Sequence, residues 1–197
     1  MEACIGLLET ISVARGIAAA DAMLKESPVR LRFSRPIQPG RYATLFSGEV
    51  EEVRRAYDRG RAVAAEKLVD DLFLPNAHPS IFTAYETPSI VGHDALGILE
   101  ALTLASTLVA ADAAAKTTSA RLALVRLANG LGGKGYFLIE GAVEDVEASI
   151  DAAAARVEPE DLLQSRVVIP RVHPELIDFL LTHDGMEGLA RGEEELG

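Results

Sequence analysis

The stretch Ile5-Gly6-Leu7-Leu8-Glu9 returns in the second half of the chain as Leu96-Gly97-Ile98-Leu99-Glu100. The glycine and the glutamate are each separated from their counterpart by 91 residues. A repeat that keeps both its pattern and its spacing indicates a duplicated domain. The sequence therefore predicts two copies of one fold in tandem.

Further pairs of matching residues follow this stretch, and the offset between the two members of a pair grows in two steps along the chain. The offset rises to 93 residues after a Gly-rich turn, in which the second copy carries two extra residues, and to 95 at the His-Pro pairs. Because the extra residues lie between secondary-structure elements, the order of the elements is preserved. The corresponding pairs include Asp21 and Asp112, Lys25 and Lys116, Gly48 and Gly141, and His78 and His173.

Each copy shows the same order of secondary-structure signals, β-α-β-β-α-β-α. Short β-rich runs alternate with an Ala-rich helix, a charged amphipathic helix and a short helix that opens at His-Pro. We therefore predict an α+β, ferredoxin-like fold for residues 1–88 and again for residues 89–197, with a linker at 86–94 and an acidic tail from about residue 182. Predicted strands are 4–8, 29–33, 42–46, 67–74, 95–99, 121–127, 136–139 and 165–169; predicted helices are 13–24, 49–67, 104–115 and 143–157.

The composition excludes several classes of protein. A formal net charge of -11 argues against a nucleic-acid partner, which requires clustered Lys and Arg. The apolar run 102–115 is too short and too often interrupted by polar residues for a membrane span, and no export signal is expected. The single cysteine, Cys4, excludes a disulfide framework, suits a reducing cytoplasm and is expected to be buried.

No motif for catalysis or metal binding is present. The four histidines are dispersed without ligand spacing, and two of them precede prolines, where a capping role is expected. The glycines at 130–135 lack the spacing and the Ser or Thr of a phosphate-binding loop. We therefore predict neither a catalytic residue nor a metal site, and no enzyme.

Several of these motifs, found twice in fixed order, resemble the bacterial microcompartment shell domain. They are Gly-[LI]-Leu-Glu, Ala-Ala-Asp-Ala-x-x-Lys, Gly-x-Val-x-x-Val and, once, Ile169-Pro170-Arg171-Val172-His173-Pro174. Two unpermuted copies are similar to the tandem-domain shell proteins, and the resemblance implies a pseudohexameric homotrimer. It also implies the shell of a microcompartment in the bacterial cytoplasm as location, and hexameric and pentameric shell proteins as partners.

The resemblance further implies that two loops line a central pore for small metabolites. Their glycines allow close approach and motion, so that gating is a hypothesis, and Arg41 and Lys134 would attract anions. Two ordinary hairpin turns with solvated cations are the alternative. The implied pore-lining residues are Gln38, Pro39, Gly40, Arg41, Asn129, Gly130, Leu131, Gly132, Gly133 and Lys134.

The resemblance also implies edge positions at which neighbouring tiles meet. Lys25 and Lys116 match the lysine of this edge, although a solvated lysine is the ordinary alternative. Arg171 matches a second edge position, which is Asn76 in the first copy, so the two edges differ chemically. Some tandem shell proteins bind an iron–sulfur cluster through a loop cysteine, and neither loop has one here, so no cofactor is expected.

A second class of function stays open at this point. A ferredoxin-like oligomer could use the same loops as a ligand site between subunits and act as a small-molecule-binding or regulatory protein. Assembly of the overexpressed protein into flat sheets would favour the shell protein. Discrete trimers with a tightly bound metabolite would favour the small-molecule-binding protein.

Overall fold

A computed structural model describes residues 4–92, 94–128 and 130–182. It contains two four-stranded antiparallel sheets, one in each half of the chain, and confirms the predicted order of elements. The first domain consists of β1 (Cys4–Thr10), α1 (Val13–Glu26), β2 (Arg30–Ile37), β3 (Arg41–Gly48), α2 (Val50–Ala64), β4 (Leu68–Pro75) and α3 (Ser80–Glu86). The second consists of β5 (Ala95–Ala101), α4 (Leu104–Thr117), β6 (Arg121–Leu127), β7 (Gly135–Gly141), α5 (Val143–Val157), β8 (Leu163–Pro170) and α6 (Pro174–Thr182).

The duplication is preserved in the sheets down to their irregularities. The strand orders are β2-β3-β1-β4 and β6-β7-β5-β8, with every neighbouring pair antiparallel. A register shift after Glu9 is repeated after Glu100, and a second shift in β2 is repeated in β6. Bulges of this kind redirect side chains locally. Equivalent residues of the two domains therefore face the same way, which allows their surroundings to be compared directly.

The helix ends differ in detail from the predicted bounds. The helix predicted to run to residue 67 ends at Ala64, because Ala65 has a positive φ of 48° that a helix cannot continue. The prediction that proline opens both terminal helices is correct for Pro174, whereas α3 begins at Ser80, one residue after Pro79. His78 has the expected capping role, since its Nδ1 accepts the Ser80 N–H at 3.3 Å.

The repeated glycine of the opening stretch is required by packing. A Cβ at Gly6 would lie 2.2 Å from the Phe46 ring, and a Cβ at Gly97 would lie 2.7 Å from Ile150 Cγ1. Both distances are shorter than a carbon–carbon contact allows. The glycine therefore lets a large side chain lie directly against the central strand of each sheet.

The two domains share one apolar core. Ile5, Leu7 and Leu45 on one face of the first sheet belong to the same buried cluster as Leu104 and Leu108 of α4. The opposite face of the first sheet packs against α1 and α2. The seam, which we define as the contact of α4 with β4 and α3, is thus a continuous hydrophobic interface. Within the described ranges, no helix is long and apolar enough to cross a membrane.

Candidate functional site

The two loops implied to line a pore lie next to each other in space. Residues 38–40 connect β2 to β3, and residues 128–134 connect β6 to β7, so the two extra residues of the second copy lie in its loop. A Cβ at Gly133 would lie 3.4 Å from the carbonyl oxygen of Gln38 and 3.8 Å from Pro39 Cδ. Asn129, also implied to line the pore, lies outside the described residues.

Glycine sets the shape of both loops. Gly40 has a φ of +64° after a cis Gln38–Pro39 peptide bond, and Gly130, Gly132 and Gly133 have φ values of +74°, +65° and +89°. Side-chain-bearing residues adopt this left-handed region only at a cost. Cβ atoms at Gly40, Gly130 and Gly132 would meet no atom within 4 Å, so backbone conformation rather than lack of space favours glycine there.

Arg41 and Lys134, the predicted anion-attracting cations, are paired with carboxylates. Arg41 Nη1 donates to Glu9 Oε1 at 2.6 Å, and Lys134 Nζ donates to Glu100 Oε1 at 2.5 Å. Each cation is thus partly neutralised by its carboxylate, and the attraction of anions stays a prediction. Sequence reasoning gave Glu9 and Glu100 no role, although each copy carries both the acid and the base at matching positions.

The two acid–base pairs differ in their surroundings. The side chain of Glu9 is fully buried, whereas that of Glu100 is 32% exposed. Burial raises the pKa of Glu9, the hydrogen bond and charge of Arg41 act in the opposite direction, and the charge of Asp70 raises the pKa further. Burial also raises the pKa of Asp70, and the nearby Thr103 hydroxyl acts in the opposite direction. In the register of the second sheet, Ser165 takes the place of Asp70.

Polar groups connect the two domains at the end of α4. Asp112 Oδ1 accepts the backbone N–H of His78 at 2.8 Å, and Asp112 Oδ2 accepts from Lys116 Nζ at 2.6 Å. The fold thus brings Lys116 close to the turn that contains Asn76. In the first domain, Lys25 pairs with Asp21 at 2.6 Å on the exposed end of α1.

The remaining edge residues lie at equivalent turns. Asn76 has a φ of 55° and Arg171 a φ of 53°, so both occupy the left-handed region, which asparagine tolerates better than arginine. Arg171 donates its backbone N–H to the Asp94 carbonyl, which connects the turn to the start of β5. The first copy therefore has the less strained residue at this position.

The cysteine lies in the core and away from both loops. Cys4 is fully buried, and burial raises the pKa of its thiol to about 11. The expectation of a buried thiol is confirmed. Among residues 4–92, 94–128 and 130–182, no cluster of three or more His, Cys, Asp or Glu side chains is arranged to hold a metal ion.

Comparison with known sequences gives two matches to one family. The model of the BMC domain matches residues 4–77 and again residues 95–172. The bacterial microcompartment shell protein PduT of Citrobacter freundii is 39% identical over 174 residues, which are 88% of this chain and 95% of that protein. The duplication seen in the sequence is thus a tandem of two BMC domains.

Comparison with solved structures agrees. A microcompartment protein from Desulfitobacterium hafniense superimposes with a TM-score of 0.85 at 41% identity, over 89% of this chain and 98% of that one. A fused permuted hexameric shell protein from the RMM microcompartment gives a TM-score of 0.58 at 18% identity, over 80% and 84% of the two chains, and shows the fold alone. These findings favour the shell protein over the small-molecule regulator.

Proposed function

Because this chain belongs to the bacterial microcompartment shell proteins and carries two BMC domains in tandem, we propose that three copies close into a ring of six domains. That ring is one tile, the repeating unit of the shell, and its role is structural, not catalytic. The observation that carries the proposal is a difference in exposure between equivalent helices of the two domains.

Only one of the two equivalent helices is covered. Ile17 of α1 is 53% exposed, whereas its counterpart in α4, Leu108, is fully buried. Leu24 is likewise 48% exposed, and its counterpart Ala115 is buried. The first domain provides the cover for α4 through β4 and α3. Within the described part of the chain, no element covers the apolar face of α1 in this way. An exposed apolar face on a folded domain indicates a contact with another protein.

A surface of the right kind is exposed on the second domain. The helix α6 is the counterpart of α3, and Phe179 of α6 is 53% exposed where Ala84 of α3 is buried. Leu176 is exposed where its counterpart Ile81 is buried. A groove of about 320 Å³ lies along this face and is lined by His173, Glu175, Leu176 and Phe179. We propose that α1 of a neighbouring copy occupies it, as α4 occupies the equivalent surface within the chain.

The polar contacts of the seam support the same arrangement. Asp112 binds the N–H of His78 within the chain, and the equivalent residues are Asp21 and His173. Asp21 is exposed at the end of α1, and its carboxylate has room for a second donor beside Lys25. We therefore propose that Asp21 accepts the N–H of His173 from the neighbouring copy.

Such a contact joins unlike surfaces, so it repeats from chain to chain. Heterologous contacts of this kind either close into a ring or grow into a filament. Val167 of β8 is exposed where its counterpart Leu72 of β4 packs into the core, so the acceptor surface includes the strand as well as the helix. Six similar seams, three within chains and three between them, would give the ring pseudo-sixfold symmetry.

We place the two loops at the centre of this ring, around a pore for small metabolites. The short distance from Gly133 to Gln38 supports the placement, because it shows that the loops of the two domains lie side by side. With Arg41 and Lys134 paired, backbone N–H groups of the glycine-rich loops would be the main donors to a passing molecule. A change in the loops that opens or closes this pore stays a hypothesis.

The edges of the tile follow from the seam. Lys116 lies near the Asn76 turn within the chain, and the proposed contact would bring Lys25 to the Arg171 turn of the neighbour. Three edges would then carry Lys and Asn and three would carry Lys and Arg. We propose that these edges bind other shell proteins of hexameric and pentameric form.

The solution mass of variants tests the proposal. We expect the wild type to have three times the chain mass, and Ile17→Asp to dissociate into folded monomers, because the charge would be buried in the proposed contact between chains. Val91→Asp is the matched control, since Val91 is exposed on the linker and outside the seam. A wild-type monomer, or an Ile17→Asp variant that keeps the wild-type mass, would contradict the proposal.

A further inference from the structure

Three charged side chains lie together beneath the loop 38–40, on adjacent strands of the first sheet. Glu9 of β1 is directly opposite Asp70 of β4, and Arg41 of β3 binds Glu9 from the other side. The side chains of directly opposed residues in an antiparallel pair come close together, and like charges there repel. The sheet thus places two carboxyl groups side by side with a single guanidinium.

The surroundings of this pair limit its contact with solvent, since Asp70 is half-buried. Glu9 is fully buried, and the Thr103 hydroxyl at the start of α4 faces Asp70 from the second domain. The other charged neighbour, Asp71, points to the opposite face of the sheet, where Arg61 Nε lies 2.5 Å from its carboxylate. Two negative charges would therefore share one positive partner although one of the two carboxyl groups is fully buried, which is unfavourable.

Two oxygens of the pair lack a hydrogen-bond donor. Glu9 Oε2 and Asp70 Oδ2 are both buried, and neither has a partner in the described part of the chain. A buried acceptor without a donor costs free energy, so native structures almost always provide one. One proton on either oxygen would make that group a donor to the other carboxyl, and would remove the excess negative charge as well.

We propose that Glu9 and Asp70 hold one proton between them at neutral pH, so that the seam contains a proton-binding carboxyl pair. The raised pKa of each group agrees with this inference. The second domain provides an internal comparison, because Glu100 pairs with Lys134 in the same way but faces Ser165, which carries no charge. The proton site is therefore a property of the first domain only.

The proposal has a consequence for the loop 38–40. The pair connects this loop, through Arg41, to the start of α4, through Thr103. Loss of the proton would place a second negative charge in the buried seam, and opening of the seam would let water reach it. We therefore expect alkaline pH to loosen the loop 38–40 and to leave the loop 128–134 unchanged. This expectation concerns one chain and does not depend on the ring.

Infrared spectroscopy of the full chain at neutral pH tests the proposal. The carbonyl absorption of a protonated carboxyl is distinct from that of ionised carboxylates. We expect this absorption, at the intensity of one group per chain, in the wild type and in the control Glu100→Gln. We expect it to be lost in Asp70→Asn, and in Asp70→Ser, which copies the second domain.

The outcomes are distinct. Absence of the absorption from the wild type at neutral pH, or its persistence in a folded Asp70 variant, would overturn the proposal. If both variants fail to fold, titration of the wild type decides: the absorption must disappear as the pH rises, together with faster amide exchange at residues 37–43 than at 127–136. Equal changes in the two segments would also overturn it.

Discussion

Asp112 accepts the backbone N–H of His78 at 2.8 Å, although the two residues belong to different domains of the chain. The contact fixes the end of α4 against the turn before α3. Because the chain is a tandem repeat, the same contact has an unused counterpart in Asp21 and His173. The geometry of the proposed assembly can therefore be inferred from contacts inside one subunit.

Two alanine substitutions separate the seam within the chain from the seam between chains. Asp112→Ala should lower the free energy of unfolding of the subunit by about 1.5–3 kcal/mol, because a hydrogen bond to a charged group is lost. Asp21→Ala should leave subunit stability nearly unchanged and weaken association. Denaturant unfolding and concentration-dependent mass measure the two effects. If the two variants lost the same amount of subunit stability, or weakened association equally, Asp21 would not have the proposed role between chains.

The repeated glycine gives a prediction about the core. Gly6→Ala should destabilise the subunit by roughly 1–3 kcal/mol, because its Cβ would overlap the Phe46 ring, and overpacking forces the core to shift. Gly97→Ala should cost less, since the nearest atom to its Cβ, Ile150 Cγ1, lies at 2.7 Å, whereas the Phe46 ring lies 2.2 Å from a Cβ at Gly6. Thermal unfolding of the two variants compares them directly. A greater loss in Gly97→Ala would argue against this account of the packing.

The carboxyl pair predicts a pH dependence of stability. The pKa of Asp70 and of Glu9 is raised in the folded chain, so the folded state binds a proton more strongly than the unfolded state does. The free energy of unfolding should therefore fall as the pH rises from the ordinary carboxyl range through the raised pKa. Asp70→Asn should flatten this decline and be relatively more stable at high pH, as measured by denaturant unfolding across pH. Parallel curves for the variant and the wild type would contradict the expected linkage.

The duplication made much of the fold predictable. The return of the Gly6 stretch at Gly97 predicted two domains, and turn glycines and the periodicity of apolar residues predicted the order of the elements. The surplus residues of the second copy were correctly assigned to a loop. These features are local in sequence, so local patterns were sufficient to find them.

Contacts between distant residues could not be predicted in the same way. The pairing of Glu9 with Arg41 depends on the register of β1 against β3, and no local pattern encodes that register. The recurrence of an acid and a base at matching positions in both copies was the available signal. Likewise, Ile17 and Leu108 are both apolar, so sequence alone could not show that only one is covered within the chain.

The most direct test of the three-chain ring is chemical cross-linking of Lys25→Cys combined with Arg171→Cys, positions that the proposed contact brings together, using a short bifunctional thiol reagent. The native Cys4 should not react, because it is buried and the pKa of its thiol is raised to about 11. The wild type and each single variant are controls. The account predicts covalent species of two and three chains and none larger, whereas absence of cross-links between chains, or a ladder that continues beyond three, would contradict it.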